Sequence, residues 1–230
     1  MQKQELKRGI NDSIPIVLGY LPLGFAFGLL ANEVGMSVIQ AMMMSVLCFT
    51  GAGQYIAIGI MQAGGAVFTI VLANVLVNLR YLLFSTSLVP YLKGKVPTAA
   101  GALLSYGLTD ETYAVAMNRY QDHAPTASYM AGLNLSSHTG WIASTLLGAV
   151  LGSHIGNTDR LGLGFALPAM YICLLVLMIK RKSDVLVALS AALFCLLIGY
   201  LVPATMGNLF NIIIATVAGA SLGVLIGERD

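Results

Sequence analysis

The chain has 230 residues, of which 57% are hydrophobic and 10% charged, with a net charge of +2 and a mean hydropathy of +0.83. A soluble domain carries about 25% charged residues, so the soluble classes are excluded. No basic stripe exists to bind nucleic acid, and the expected surroundings are a lipid bilayer. The chain reads as an all-α integral membrane protein, a single transmembrane transporter domain over 1–230. Apolar runs long enough to cross number about eight, several of them broken near the bilayer midplane. Cys48, Cys173 and Cys195 all fall in apolar runs with no paired spacing, so neither a disulfide framework nor a zinc site is expected.

Lys3, Lys7 and Arg8 precede Asn11-Asp12-Ser13, a start signal for a first span at roughly 14–31. That run is polar-punctuated and lacks a cleavage pattern, which marks a retained helix and not a signal peptide. Pro22 has no N–H and its ring clashes with the Leu18 carbonyl, so the helix is expected to open there. Gly24 and Gly28, four apart, let a second backbone approach closely. The second span, roughly 38–61, contains Gly51-Ala52-Gly53-Gln54, two poor helix formers and an amide. A second break is expected here. Non-helical backbone at membrane depth survives only where protein or a water-filled cavity satisfies it, and paired breaks point to a transporter's substrate site.

The third span, roughly 66–90, places Asn74 and Asn78 on one face. It also carries Arg80 just past its middle, where an arginine costs about 2.5–3.5 kcal/mol on insertion scales. Such a residue should face the interior and find a partner. The fourth span, roughly 98–117, runs antiparallel to the third and brings Asp110 and Glu111 to a similar depth. One carboxylate can neutralise Arg80 in bidentate fashion, leaving the other free to load a proton. The alternative is an ion pair that only fixes helix packing.

The fifth span, roughly 129–151, carries Asn134, His138, Trp141 and Thr145 at helical spacing, with Ser136 and Ser137 beside them. One side of this helix is too polar for lipid and must cover a partner helix or line a cavity. His138 is either a satisfied interior histidine or a proton relay. No second His or Cys stands at ligand spacing, so no metal and no other cofactor is expected. Three more spans follow at roughly 161–179, 185–202 and 208–226. Lys180, Arg181 and Lys182 form a second basic cluster. With about eight spans both basic clusters lie on the cytoplasmic side, although Lys93 and Lys95 fall outside. Gly65–Val75 echoes Gly207–Val217 as a weak inverted repeat.

No Gly-x-Ser-x-Gly, His-Glu-x-x-His or P-loop occurs, so neither an enzyme nor an ATP-driven pump is indicated. The candidate substrate-binding residues are Pro22, Gly24, Gly51, Gly53, Gln54, Asn78 and Asn134. The candidate ion-pair and proton-coupling residues are Arg80, Asp110, Glu111 and His138.

Four strings occur in order: Tyr20-Leu-Pro-Leu-Gly-Phe-Ala-Phe-Gly28, Phe49-Thr-Gly-Ala-Gly-Gln-Tyr55, Asn78-Leu-Arg80 and Thr109-Asp-Glu-Thr-Tyr113. Together they resemble the AzlC family of bacterial inner-membrane permeases, over about the first 120 residues. The resemblance implies a multi-pass protein of the bacterial inner (plasma) membrane that exports branched-chain amino acids beside a small AzlD-type membrane protein. It also implies that the helix breaks, Gln54, Asn78, Arg80, Asp110 and Glu111 belong to a transport core. Tyr81 departs from the family, which often has histidine after the arginine.

An amino-acid substrate suits these residues. Half-helix N-termini after Pro22 and around Gly53 offer N–H groups to a carboxylate. Asp110 or Glu111 can hold an ammonium, and Met42, Met43, Met44 and Phe49 can shape an apolar slot. Such a slot discriminates by only about 1–3 kcal/mol per methylene, so methionine is expected among the substrates. Two other classes stay open: a non-transporting scaffold subunit and a passive channel for small solutes.

Overall fold

Long apolar runs with no strand-like alternation fold here into helices joined by short turns. In a computed structural model of the chain, the structure describes residues 2–152, 165, 172, 175, 176, 179, 181–203 and 209–227. Among these the α-helices are α1 Gln2–Glu33, α2 Val38–Leu47, α3 Ala52–Gln62, α4 Val67–Leu92, α5 Thr98–Leu104, α6 Asp110–Asp122, α7 Ala127–Gly152, α8 Lys182–Leu201 and α9 Leu209–Gly227. A single 3-10 turn, Ser105–Gly107, separates α5 from α6. Among the described residues, α1, α4 and α8 are each long and apolar enough to cross a bilayer. Where the sequence predicts single second and fourth spans, the structure has the pairs α2–α3 and α5–α6. The protein is an all-α integral membrane protein, and these helices fit about eight crossings. The expected sixth span, with Lys180 and Cys173, lies almost wholly outside the described residues.

The chain divides into two compact units, Met1–Leu167 and Pro168–Asp230. In the second, α8 and α9 pack together: Gly219 sits against Ala191, and Asn211 Nδ2 donates to the Cys195 carbonyl at 3.1 Å. The expected repeat compares segments from different units, and its residues 207 and 208 lie outside the described ones.

In the first unit α1 and α7 form the main helix pair, and their contact is built from small residues. Gly132, Ser136, Gly140, Ser144, Gly148 and Gly152 recur every fourth position on α7. A Cβ at Gly148 would overlap the Phe25 carbonyl, and one at Gly28 would overlap the Thr145 carbonyl. Backbones this close gain dispersion contacts that lipid cannot supply. Ser13 and Ser136 hydroxyls meet across the seam at 2.5 Å. At one end, Glu5 of α1 pairs with Arg119 of α6 at 2.9 Å, and Arg119 lies 4.3 Å over the ring of Tyr129. Gly148→Leu is therefore expected to force the two helices apart at a cost of about 1–3 kcal/mol, as overpacking does. A lower melting temperature in detergent checks this, and an unchanged one would mean that the seam yields without cost.

Two expectations about breaks are corrected. The helix does not open at Pro22: α1 runs unbroken from Gln2 to Glu33 through both Pro15 and Pro22. Neighbouring helices serve its backbone on either side of the proline. Ser144 Oγ donates to the Tyr20 carbonyl at 3.3 Å, and Tyr55 OH donates to the Leu23 carbonyl at 2.6 Å. The carbonyl that Pro22 deprives of its donor is Leu18's, so these bonds hold α1 on either side of the proline and do not replace the lost one. The break expected at Gly51 stands, but its partner lies not at Pro22 but in the fourth span, at residues 105–109, where the sequence predicts one helix through Asp110 and Glu111.

Candidate functional site

The break in the second span is made by glycine. α2 ends at Cys48, and the chain turns through Gly51 at φ +48°, a left-handed value that side chains disfavour. The N-cap of α3, Gly51, has no side chain to cap it and the first turn has no acidic residue. Only the neutral Thr50 hydroxyl accepts one of its N–H groups, that of Gly53, so no charge offsets its positive end. Cys48 is exposed at this turn and does not pack into a core.

The break in the fourth span is made by polar contacts. Asn134 Nδ2 donates to the Leu104 carbonyl at 2.7 Å, which satisfies the end of α5. Thr109 then caps α6: its hydroxyl accepts from Thr112 N–H, while Thr109 N–H donates to Thr112 Oγ1. Asp110 and Glu111 form the first turn of α6, where the helix dipole favours negative charge.

Aromatic rings join the two breaks. Phe49, from the first break, packs edge-on to Tyr20 at 6.1 Å and stacks on His138 at 4.3 Å. Trp141 packs edge-on to Tyr20 at 5.3 Å. Tyr20 OH lies 2.7 Å from Thr109 Oγ1 and donates to Glu111 Oε2 at 2.8 Å. Beside this cluster Arg80 Nη1 stands 2.8 Å from Asp110 Oδ2. Arg80 Nε is buried with no hydrogen-bond partner among the described residues.

The remaining candidates surround the same centre. Gln54 is fully buried and bridges Trp141 Nε1, which it accepts at 3.0 Å, to Ser45 Oγ, to which it donates at 2.9 Å. His138 Nε2 meets the Ser45 carbonyl at 3.0 Å. Thr50 Oγ1 donates to Asn78 Oδ1 at 3.0 Å and accepts from Gly53 N–H at 3.1 Å. Thr50, Asn74 and Asn78 share a groove of about 440 Å³ with Met44, Cys48, Ile70, Val71 and Val75. Gly24 packs on Ser144, while Pro22 is exposed on α1, apart from the cluster. Met43 is 53% exposed, so it lines no slot within this unit.

The polar stripe on α7 is covered from within the chain, by Leu104, Ser45, Gln54 and the Ser45–Thr145 hydroxyl contact at 2.9 Å. It gives no argument for a second chain. Sequence reasoning passed over Tyr20, Ser45 and Thr109. Only Thr109 had a usable signal: Thr-Asp-Glu-Thr is a helix start with an acidic first turn.

These features define the class: an all-helical integral membrane protein in which two interrupted helices meet buried charge and aromatic rings. The chain belongs to the AzlC protein family, whose match covers residues 15–155. It is 31% identical over 222 residues to the inner membrane protein YgaZ of Escherichia coli, covering 94% of this chain and 87% of that one. An uncharacterized membrane protein of Archaeoglobus fulgidus is 32% identical over 179 residues, covering 76% and 77%. The branched-chain amino acid transport protein AzlC of Bacillus subtilis is 27% identical over 170 residues, covering 71% and 64%. No solved structure matches the chain.

Proposed function

We propose that this chain is the large subunit of a proton-coupled permease of the inner membrane that exports branched-chain and other aliphatic amino acids, methionine included. The carrying observation is the convergence of two helix breaks on one cluster holding Arg80, Asp110, Glu111 and Tyr20. The Bacillus subtilis relative's name supports the substrate class. In this reading residues 1–230 act as one transport domain with a cytoplasmic N-terminus, which the two basic clusters favour. A small AzlD-type membrane protein completes the exporter.

The chemistry divides cleanly. A zwitterion needs a partner for each charge and a slot for its side chain. Asp110, whose Oδ2 holds Arg80, serves the ammonium through its other carboxylate oxygen. The start of α3, which carries no acidic residue, and Arg80 Nε, without a hydrogen-bond partner among the described residues, serve the carboxylate. The groove beside Met44, Cys48, Ile70, Val71 and Val75 takes the aliphatic chain, and its size falls within the usual ligand range. With no nucleotide-binding motif in the sequence, an uphill step draws on an ion gradient.

Liposomes containing this protein and its small partner, loaded with labelled leucine, are expected to lose label faster than empty vesicles when a proton gradient is imposed. Valine, isoleucine and methionine should compete, and lysine and glutamate should not. Flux unchanged from empty vesicles would overturn the exporter reading in favour of a scaffold. Flux indifferent to the gradient would favour a channel.

A further inference from the structure

The two adjacent carboxylates are held differently. Asp110 is committed to Arg80 at 2.8 Å. Glu111 receives its only described hydrogen bond from a neutral hydroxyl, Tyr20 OH, at 2.8 Å. Tyr20 is 5% exposed and reaches Thr109, the cap of α6, at 2.7 Å. Thr109 Oγ1 in turn lies 3.3 Å from Thr112 Oγ1, which donates across the break to the Gly107 carbonyl at 3.2 Å. Three hydroxyls therefore run in line from a carboxylate to the helix break.

Resting on the exporter reading, we propose that Glu111 is the group that loads and releases the transported proton, and that Tyr20 relays its state to the cap of α6.

The relay follows from counting donors. With Glu111 ionised, Tyr20 donates to the carboxylate, so the Thr109 hydroxyl must donate to Tyr20. Thr109 Oγ1 then accepts only the Thr112 N–H. With one proton added, Glu111 donates to Tyr20, Tyr20 donates to Thr109, and the Thr109 hydrogen turns to Thr112 Oγ1. The cap oxygen now accepts two hydrogen bonds and gives its own to Thr112 Oγ1, whose hydroxyl in turn reaches the Gly107 carbonyl in the break. No heavy atom has to leave hydrogen-bond range, and one proton taken up is one released. Hydroxyls suit this role because each donates once and accepts on its lone pairs.

The surrounding charges assign the proton to Glu111. From α6, Asp110 is already neutralised by Arg80 of α4. Tyr81 of α4 lies within electrostatic reach of Arg80, Asp110 and Glu111. From α7, His138 approaches only through Phe49, on which it stacks, and Phe49 packs edge-on to Tyr20. From α1, Tyr20 alone touches the carboxylate among the described side chains. A protonated Asp110 would abandon a buried guanidinium, whereas a protonated Glu111 keeps its hydrogen bond and only reverses it.

The test uses liposomes with both proteins and four variants. Glu111→Gln and Tyr20→Phe should keep at least half of the leucine-for-leucine exchange and lose tenfold or more of the gradient-driven stimulation. Thr109→Ser, which preserves the hydroxyl and the cap, should stay coupled. Asp110→Asn should lower exchange and gradient-driven flux together. A Glu111→Gln protein that still responds to the gradient would overturn the assignment, as would an Asp110→Asn protein that alone is uncoupled. A second measurement stands even if no flux is found. pH-difference infrared spectra of the purified protein should show one buried carboxylic acid band that disappears in Glu111→Gln and shifts in Tyr20→Phe. A band that survives Glu111→Gln places the proton elsewhere.

Discussion

Arg80→Leu is expected to cost about 3–5 kcal/mol of stability and to abolish transport, because it leaves the Asp110 carboxylate buried without its partner. The pair is 2.8 Å apart, with side chains 25% and 16% exposed, too enclosed for water to replace the guanidinium fully. Its depth in α4 adds to the penalty, since a lone charge in a bilayer is costlier than one in a soluble core. The double variant Arg80→Leu with Asp110→Leu should recover folded protein that either single change loses, with a coupling energy of about 0.5–3 kcal/mol. Arg80→Leu with Glu111→Gln should not, because Glu111 is bonded to Tyr20. Thermal melting and yield in detergent read out both. Additive losses for Arg80 with Asp110, or rescue through Glu111, would show that the ion pair holds nothing together. A recovered fold without recovered flux is also expected, because Arg80 Nε would no longer meet a substrate carboxylate.

What the sequence made legible was mostly the cost of individual residues. An arginine at membrane depth requires a carboxylate, and the sequence offered Asp110 and Glu111. It did not say which, because helix rotation within a bundle depends on seams such as the one α1 and α7 share. Gly51 was legible for a similar reason: a poor helix former in an apolar run marks a turn, here at φ +48°. Pro22 misled because the missing hydrogen bond is a local quantity, whereas its consequence depends on which donors arrive from elsewhere. Ser144 and Tyr55 arrive from other helices and hold α1 on either side of the proline. The break at residues 105–109 was hidden the opposite way. No glycine pair or proline announces it, and Asn134, 30 positions from Leu104, completes it. Tyr20 illustrates the limit best. An aromatic residue in an apolar span reads as packing, and only the fold brings its hydroxyl to Thr109 and Glu111. Proximity between distant segments is a property of the assembled core, and a hydropathy pattern does not encode it.

The second large effect is expected at Gly53, where the first break meets α4. A Cβ there would overlap Asn74 Oδ1 and come within 2.5 Å of Thr50 Oγ1. Both neighbours belong to the groove, and Thr50 is also the residue that ties Gly53 N–H to Asn78. Adding even a methyl group must therefore displace α3 from α4 or break that tie. Overpacking of this kind costs about 1–3 kcal/mol. Where the strain falls on the conformation that binds substrate, flux drops about tenfold for each 1.4 kcal/mol. Gly53→Ala should thus lower leucine flux by roughly ten- to a hundredfold while the protein remains folded, because the α1–α7 seam is untouched. Gly53→Val should abolish flux. Asn74→Ala should partly restore Gly53→Ala, since it removes the nearest obstacle and Asn74 Nδ2 donates only to the Ile70 carbonyl within its own helix. Asn78→Ala should not, because Asn78 meets Thr50 and not the added carbon. The four variants separate space from chemistry. If Asn78→Ala rescued Gly53→Ala and Asn74→Ala did not, the loss would come from the hydrogen bonds of the break. If Gly53→Val transported normally, the close approach of α3 to α4 would have no part in the transport cycle.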